Sequence, residues 1–164
     1  MKTISILLTK YSDVISNIIY LLDGSGYTHA SIALEEDENC FYSFNYRGFA
    51  IENIEKHKRR GVKKSLCFIL QITENSYSEL KNKLENFKDN YLNYKYTRLG
   101  VVFAFLRIPF NWENHYFCSQ FVAQLLIDSG AMPLKKEPYL YLPSHFLKDI
   151  PLFQGLQETI CNII

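Results

Sequence analysis

The sequence predicts a single α+β domain that covers residues 1–164. A chain of 164 residues is long enough to enclose one core. Its composition, with 48% hydrophobic and 21% charged residues, is typical of globular proteins. Strand-like and helical patterns are both present, and no repeat, low-complexity tract or linker divides them. We therefore expect one undivided domain that contains both kinds of element.

The first half of the chain predicts four strands and one helix. The helix has Ser12 as its N-cap, an apolar face from Val14 to Leu22, and a stop at Asp23-Gly24. The second and third strands flank the polar turn "EEDEN", which indicates a hairpin. The fourth strand is almost continuously apolar, as in strands that are buried on both faces. The strand segments are "ISILLTK", "THASIALEE", "CFYSFNY" and "SLCFILQI".

Helical patterns follow. A capping box from Ser76 to Glu79 predicts the start of a helix with Leu80, Leu84 and Phe87 on one side. The segment "TRLGVVFAFLRIPF" predicts a second helix or helical turn. The segment "CSQFVAQLLIDSG" predicts a third that stops at Gly130. In "YLPSHFLKDI", Pro143 marks a break and Ser144 the N-cap of a terminal helix.

The charge balance argues against a nucleic-acid partner. Lys and Arg total 18 against 17 Asp and Glu, a net charge of +1, so we expect no nucleic-acid partner. The short basic run "EKHKRRGVKK", which contains His57, is interpreted as a solvated turn.

No apolar run approaches the roughly 20 residues of a transmembrane anchor. Lys10 and Asp13 interrupt the apolar N-terminus, and no cleavage site follows. A cytoplasmic location is the resulting expectation.

The four cysteines do not predict a metal site. Cys40, Cys67, Cys118 and Cys161 are widely spread and form no CxxC pair, so their spacing does not support zinc binding. Two disulfides are numerically possible, but the pattern is unlike the framework of a secreted protein. We expect no metal and no cofactor.

Cys118 stands directly before an amphipathic helical pattern. At a helix N-terminus, unpaired backbone N–H groups and the helix dipole favour a thiolate over a thiol. A backbone amide there also lies close enough to stabilise an oxyanion. Cys118 is therefore a candidate nucleophile, and the alternative is a small buried hydrophobic residue.

A thiol nucleophile needs a base, and the chain has four histidines. His57 lies in the basic run, His115 in an irregular loop, and His145 at the start of the terminal helix. His29 begins an apolar strand and is followed by small residues, which leave room for a helix end to approach. His29 is the candidate base, and the alternative is a structural strand residue.

The order of these motifs resembles a known family. "YTHASIAL", a second strand ending "FYSFNYRGF", then "YFCSQFVAQLL" and "YLPSHFL" resemble the permuted papain-like cysteine hydrolases. These circularly rearranged relatives of the NlpC-type cell-wall peptidases include YiiX and YaeF-like enzymes and relatives of lecithin:retinol acyltransferase. The resemblance covers nearly the whole chain. It implies an antiparallel sheet packed against helices, with the nucleophilic Cys at a helix N-terminus.

The resemblance also implies roles for individual residues. It makes Cys118 the nucleophile and His29 its base. YiiX-like members carry a carboxylate on the second strand, where this chain has Ser43, with Asn45 on the same strand face. Neither is an acid, although an amide or a hydroxyl can orient a histidine. Tyr27, two residues before His29, is a candidate oxyanion donor or cleft residue, and core packing is the alternative.

The leading functional expectation is a cysteine peptidase or amidase that cleaves an amide bond through an acyl-enzyme. The resemblance permits peptide, isopeptide and cell-wall peptide substrates, and also lipid acyl esters or amides. Lipid-acting relatives often carry an apolar membrane anchor, and its absence here favours a soluble peptide-like substrate over an acyl-containing lipid. Two alternatives remain open: a lipid acyl esterase or acyltransferase, and a catalytically silent binding module with the same fold.

Overall fold

A computed structural model describes residues 1–11, 24, 26–37, 39–62 and 64–164. The expected helix with Ser12 as N-cap lies outside these residues. Six strands form one antiparallel sheet: β1 (Lys2–Lys10), β2 (His29–Leu34), β3 (Cys40–Asn45), β4 (Gly48–Asn53), β5 (Lys64–Ile72) and β8 (Leu156–Cys161). Their order across the sheet is β4-β3-β2-β1-β5-β8. The α+β class and the large antiparallel sheet agree with the sequence prediction.

Strand β1 forms the middle of the sheet because it is apolar on both faces. It pairs with β2 on one side and with β5 on the other, so that Leu8 lies between Ala30 and Leu66. Alternate side chains point to opposite faces of a strand. Leu8 and Ala30 therefore join the main core, whereas Leu7 packs in a smaller cluster on the other face. Every residue of β2 is buried as a result.

Within the described ranges, five α-helices accompany the sheet: α1 (Ile54–Arg59), α2 (Glu74–Asp89), α3 (Arg98–Phe105), α4 (Cys118–Asp128) and α5 (Pro143–Asp149). Two short strands, β6 (Lys95–Tyr96) and β7 (His115–Tyr116), pair in parallel. Helix α4 packs against β2 and β3, and α2 packs against α4 and β1. The first residue of α4 is thus held against the strand that begins with His29.

The main core between the sheet and these helices is rich in aromatic rings. Phe121 of α4 has its ring centroid 5.1 Å from that of Phe44 on β3 and 5.0 Å from that of Phe87 on α2. Phe49 of β4 lies 5.9 Å from Phe121. Edge-to-face aromatic pairs contribute about 0.5–1.5 kcal/mol each beyond their burial. This cluster fixes α4 relative to β3 and β4.

Several local predictions were wrong at element ends. Helix α2 begins earlier than Ser76, because Thr73 accepts the Ser76 N–H and serves as the N-cap. Helix α5 has Leu142 as its N-cap and Pro143 as its first residue, so Ser144 is already helical. A proline is well tolerated there because its missing N–H would have no partner in the first turn.

The prediction that the basic run forms a solvated turn is wrong for His57. Strand β4 and helix α1 occupy the region between β3 and β5, and His57 on α1 is fully buried rather than solvated. Asn53 caps this helix by accepting the Lys56 N–H at 2.7 Å. Lys58 and Arg59 of this helix are exposed, as the charge pattern predicted, whereas Lys56 is half-buried and His57 lies on the packed face. Among the described residues, none of the helices combines the length and apolarity needed to cross a membrane.

Candidate active site

Cys118 and His29 are brought together by the packing of α4 on the sheet. Cys118 is the first residue of α4, and His29 is the first residue of β2. Only 8% of Cys118 and 6% of His29 are exposed. The imidazole of His29 hydrogen-bonds the Cys118 side chain. The two residues are 89 positions apart in the chain, so only the tertiary structure creates this contact.

The electrostatics of the pair favour a thiolate beside an imidazolium. Burial by itself raises the pKa of the Cys118 thiol, but the hydrogen bond from His29, its charge and the backbone N–H groups of Ala30 and Ser119 lower it. Burial by itself lowers the pKa of His29, but the charge of Glu52 and the hydrogen bonds to Cys118 and Glu52 raise it well above its ordinary value. A proton that leaves the sulfur is therefore held on His29.

Glu52 on β4 orients the imidazole. Its Oε2 lies 2.7 Å from Nε2 of His29, and neither group is appreciably exposed. Because Nε2 faces the carboxylate, Nδ1 is the nitrogen left for the sulfur. Burial tends to raise the pKa of the Glu52 carboxyl, but the charge and hydrogen bond of His29, with the charge of Arg60, lower it to about 2. Glu52 is thus a charged, buried acceptor for His29.

The two residues expected to orient His29 have other partners. Ser43 is fully buried, and its hydroxyl donates to the Ala30 carbonyl at 2.6 Å. Asn45 accepts the Arg47 N–H at 2.9 Å and so shapes the turn between β3 and β4. Both therefore support the strands, and the expectation that one of them orients His29 is corrected in favour of Glu52. Glu52 lies on β4, one strand further along the chain than the position that the resemblance implied.

A second group of side chains holds Glu52. Arg60 places Nη1 3.0 Å from Oε1, the carboxylate oxygen that His29 does not use. His57 is buried with Nε2 3.8 Å from Oε2, and this nitrogen has no hydrogen-bond partner among the described residues. The Tyr11 hydroxyl lies 2.6 Å from Nδ1 of His57 and also hydrogen-bonds Arg60. These contacts hold the carboxylate in place beside His29.

The charge state of this group follows from its burial. Burial, together with the charges of His29 and Arg60, lowers the pKa of His57 to about 4, although the charge of Glu52 opposes this shift. Burial raises the pKa of Tyr11. A protonated phenol that accepts from Arg60 donates to Nδ1, which places the His57 hydrogen on Nε2, toward Glu52. Neutral His57 therefore adds no positive charge next to His29.

Helix α4 begins without a polar cap. Its N-cap residue is Phe117, which makes no side-chain capping hydrogen bond. The first N–H groups of a helix have no partner within it, and Ser, Thr, Asp or Asn usually satisfies one of them. Here the N–H of Ser119 lies close to the sulfur instead. The start of α4 can therefore stabilise negative charge on the thiolate or on an oxyanion next to it.

The remaining candidates lie elsewhere. Tyr27 is 5% exposed and belongs to the main core, with Lys64 Nζ 4.7 Å from its ring centroid. That environment corresponds to the core-packing alternative. His115 stacks on Trp112 at 3.9 Å, and His145 accepts the Leu142 N–H on its ring nitrogen Nδ1.

Sequence reasoning missed Glu52, His57, Tyr11 and Arg60. The signal for Glu52 was an acid within "GFAIEN", a short segment of strand character directly after the predicted hairpin. His57 was missed because its many charged neighbours are typical of an exposed turn, whereas one face of the helix is buried. Within the described part of the chain, no group of His, Cys, Asp and Glu side chains has the arrangement needed to hold a metal ion.

No model of a known protein family matches the chain, and no curated protein matches it. Its activity must therefore be inferred from the geometry of Cys118, His29 and Glu52.

Proposed function

We propose that this protein is a cysteine hydrolase that cleaves an amide bond through an acyl-enzyme, with the fold of a permuted papain-like peptidase. The observation that carries the proposal is the buried chain of contacts from Cys118 to His29 to Glu52. A nucleophile, a base and a group that orients the base are the parts that acyl transfer requires. A buried structural cysteine needs none of these partners.

The reaction follows from the roles of these groups. The Cys118 thiolate attacks the amide carbonyl, and N–H groups at the start of α4 stabilise the negative oxygen of the tetrahedral intermediate. The His29 imidazolium then donates its proton to the departing amine. Water attacks the thioester while neutral His29 takes a proton from it, and the carboxylic acid leaves. Glu52 keeps the ring oriented throughout and stabilises its charged form.

Glu52 also bears on the alternative of a catalytically silent binding module. The argument for that alternative was the lack of an acid near His29 at Ser43 and Asn45. Glu52 supplies the acid at 2.7 Å, and Arg60 and His57 hold it in place. A module that only recognises a ligand gains nothing from a depressed thiol pKa. The geometry therefore favours the hydrolase.

The first test is the rate of iodoacetamide alkylation at each cysteine, measured by mass spectrometry from pH 5 to pH 9. The chain offers internal controls: Cys161 is an exposed thiol, and burial raises the pKa of Cys67 to about 11. We expect Cys118 to react faster than Cys161 at pH 6, and to lose this advantage in His29→Ala. Alkylation of Cys118 that is no faster than that of Cys161 at pH 6 would contradict the proposal.

The second test is turnover. A panel of p-nitroanilides and p-nitrophenyl esters with acetyl, octanoyl and aminoacyl groups distinguishes amide from ester cleavage. We expect anilide hydrolysis that Cys118→Ala abolishes, with a covalent acyl adduct on Cys118 detectable by mass spectrometry. Cys161→Ala is the matched control and should retain full activity.

A further inference from the structure

A cavity of about 690 Å³ lies between α3 and α5. This volume is within the roughly 300–1,000 Å³ typical of small-molecule sites. Its apolar lining comes from five residues: Ala104, Phe105, Leu140, Leu142 and Leu147. Two of them, Ala104 and Leu142, form one buried cluster with Phe117. Phe117 directly precedes Cys118, so the floor of the cavity adjoins the start of the helix that carries the nucleophile.

The charged side chains that the described residues contribute to this cavity are all basic. Arg107, Lys136 and Lys148 line it, and none of the residues described as lining it is acidic. Neither Arg107 nor Lys148 forms an ion pair with any carboxylate in the described ranges. Charges of one sign lining a concave surface concentrate ligands of the opposite sign. The cavity therefore offers an apolar floor below a positively charged rim.

Lys136 adds hydrogen-bond donors to the rim. Its Nζ lies 2.7 Å from Nε2 of His145, whose Nδ1 accepts the Leu142 N–H at 2.9 Å. The ammonium group of lysine carries three N–H donors and no acceptor. An anionic oxygen is the chemical group that such donors recognise.

Arg107 has a backbone conformation that glycine adopts with less strain. It follows α3 with φ of 58°, in the left-handed region. Its N–H bonds the Ala104 carbonyl at 3.2 Å, and the next N–H, from Ile108, bonds the Phe103 carbonyl at 2.9 Å. This turn usually ends on glycine, and another residue there adds backbone strain. The side chain of Arg107 lines the cavity despite that cost.

We propose that this cavity binds the part of the substrate that combines an apolar chain with a carboxylate or phosphate group. The inference rests on the proposed hydrolase function for its link to catalysis, but the binding itself does not require turnover. The apolar chain lies against Leu142, Leu147 and Phe105, and the anionic group meets Arg107, Lys136 and Lys148. The preferred substrate is then an acyl or peptidyl amide with one apolar and one anionic group.

Binding is measured by isothermal titration calorimetry on the full-length Cys118→Ala protein, which cannot turn over. Four probes share one chain and differ in charge: octanoate, octyl phosphate, octyl glucoside and octyltrimethylammonium, all below micelle-forming concentrations. We expect the two anions to bind at least about tenfold more tightly than the neutral and cationic probes. The tighter of the two anions assigns the acidic group. Equal affinity for octyl glucoside, or no binding of either anion, would overturn the proposal.

Variants locate the site. Lys136→Gln combined with Lys148→Gln should weaken octanoate binding by about tenfold or more, whereas Lys95→Gln, which lies outside this cavity, should leave it unchanged. Arg107→Gly should weaken binding while raising the melting temperature, because glycine relieves the strained backbone. Opposite changes in binding and stability separate loss of a ligand contact from partial unfolding. Unchanged affinity in both variants would place the anions elsewhere.

Protection of Cys118 tests the link to the nucleophile. Saturating octanoate should slow iodoacetamide alkylation of Cys118 in the otherwise unaltered protein and leave alkylation of Cys161 unchanged. Octanoate that binds at the rim without protecting Cys118 would refute the substrate assignment. A different result would contradict the proposed function: in the absence of any ligand, Cys118 would show the same dependence of alkylation rate on pH as Cys161.

Discussion

The carboxylate of Glu52 lies 2.7 Å from Nε2 of His29, in a pair that is almost completely removed from solvent. His29 is the first residue of β2, and Glu52 is the last but one of β4. Strand β3 lies between these two strands in the sheet. Burying a charge is costly unless it is paired and hydrogen-bonded. Glu52 meets that condition through His29 on one oxygen and Arg60 on the other.

Glu52→Gln should weaken the activation of Cys118. Glutamine has nearly the same shape but removes the charge that raises the pKa of His29. We expect Cys118 to need a higher pH for rapid alkylation than in the unaltered protein. The rate of hydrolysis should fall by about 10²–10⁴-fold, the range of general acid–base catalysis. Glu158→Gln, an exposed site on β8, is the matched control and should behave as the unaltered protein. An unshifted alkylation profile in Glu52→Gln would argue against its orienting role.

The stability of the protein should fall on mild acidification because of His57. Its folded-state pKa of about 4 is below the unfolded value of about 6.5, so between these values the unfolded chain binds more protons. This contribution is fully present above pH 6.5 and is lost as the pH falls toward 4. The shift corresponds to about 3 kcal/mol. Urea unfolding at pH 7.5, 6, 5 and 4 measures the slope.

The matched variants for this experiment are His57→Gln and His115→Gln. Glutamine at position 57 can still accept a hydrogen bond from Tyr11 but does not titrate, so the slope between pH 6.5 and 4 should flatten. His115 stacks on Trp112 away from Glu52, and its replacement should keep the slope. The Glu52 contribution is distinct, because a pKa lowered to about 2 gives stability that is lost only below pH 4.5. An identical slope in His57→Gln would assign the acid sensitivity to other groups.

Tyr11→Phe should destabilise the protein while preserving its packing. The substitution removes the hydroxyl 2.6 Å from Nδ1 of His57 and leaves that buried nitrogen without its partner. The cost of such a loss is about 1–3 kcal/mol. Tyr46→Phe, at a position that is 57% exposed, should change the free energy of unfolding by less than about 0.5 kcal/mol. Equal stability of both variants would mean that the Tyr11 hydroxyl does not support His57.

Gly100→Ala should disturb the start of α4. A Cβ at Gly100 would lie 2.6 Å from Cγ2 of Thr97 and 3.2 Å from the Phe117 ring. Because Phe117 precedes Cys118, relief of this overlap shifts the helix start that positions the sulfur. We expect a loss of about 1–3 kcal/mol in stability, typical of overpacking, and slower alkylation of Cys118.

Val102→Ala on the exposed face of the same helix is the control for Gly100→Ala. It should change the free energy of unfolding by no more than about 0.5 kcal/mol and leave alkylation of Cys118 unaltered. Melting curves together with the alkylation rates distinguish the two variants. If Gly100→Ala matches Val102→Ala in both measurements, α3 does not fix the position of Phe117.

Local sequence patterns were enough to predict several strands and the helix that carries Cys118. Alternating or continuous apolar residues predicted β1, β2, β3 and β5, and the 3.6-residue period predicted that a helix begins at Cys118. Such patterns are readable because each residue's contribution depends on neighbours within a few positions. For the same reason, a histidine at the start of a strand and a cysteine at the start of a helix could be singled out.

The contacts between the side chains of the site depend on the order of the strands and on helix packing. Glu52 reaches His29 because β3 and β4 pair beside β2, and His57 is buried because α1 packs one face against Tyr11 and Glu52. Neither contact produces a periodic pattern in the sequence. A single buried acid or histidine in a short, charged segment has the same local pattern as an exposed one. The partner that offsets the cost of burying a charge is distant in sequence, so its identity is set by sheet order and helix packing.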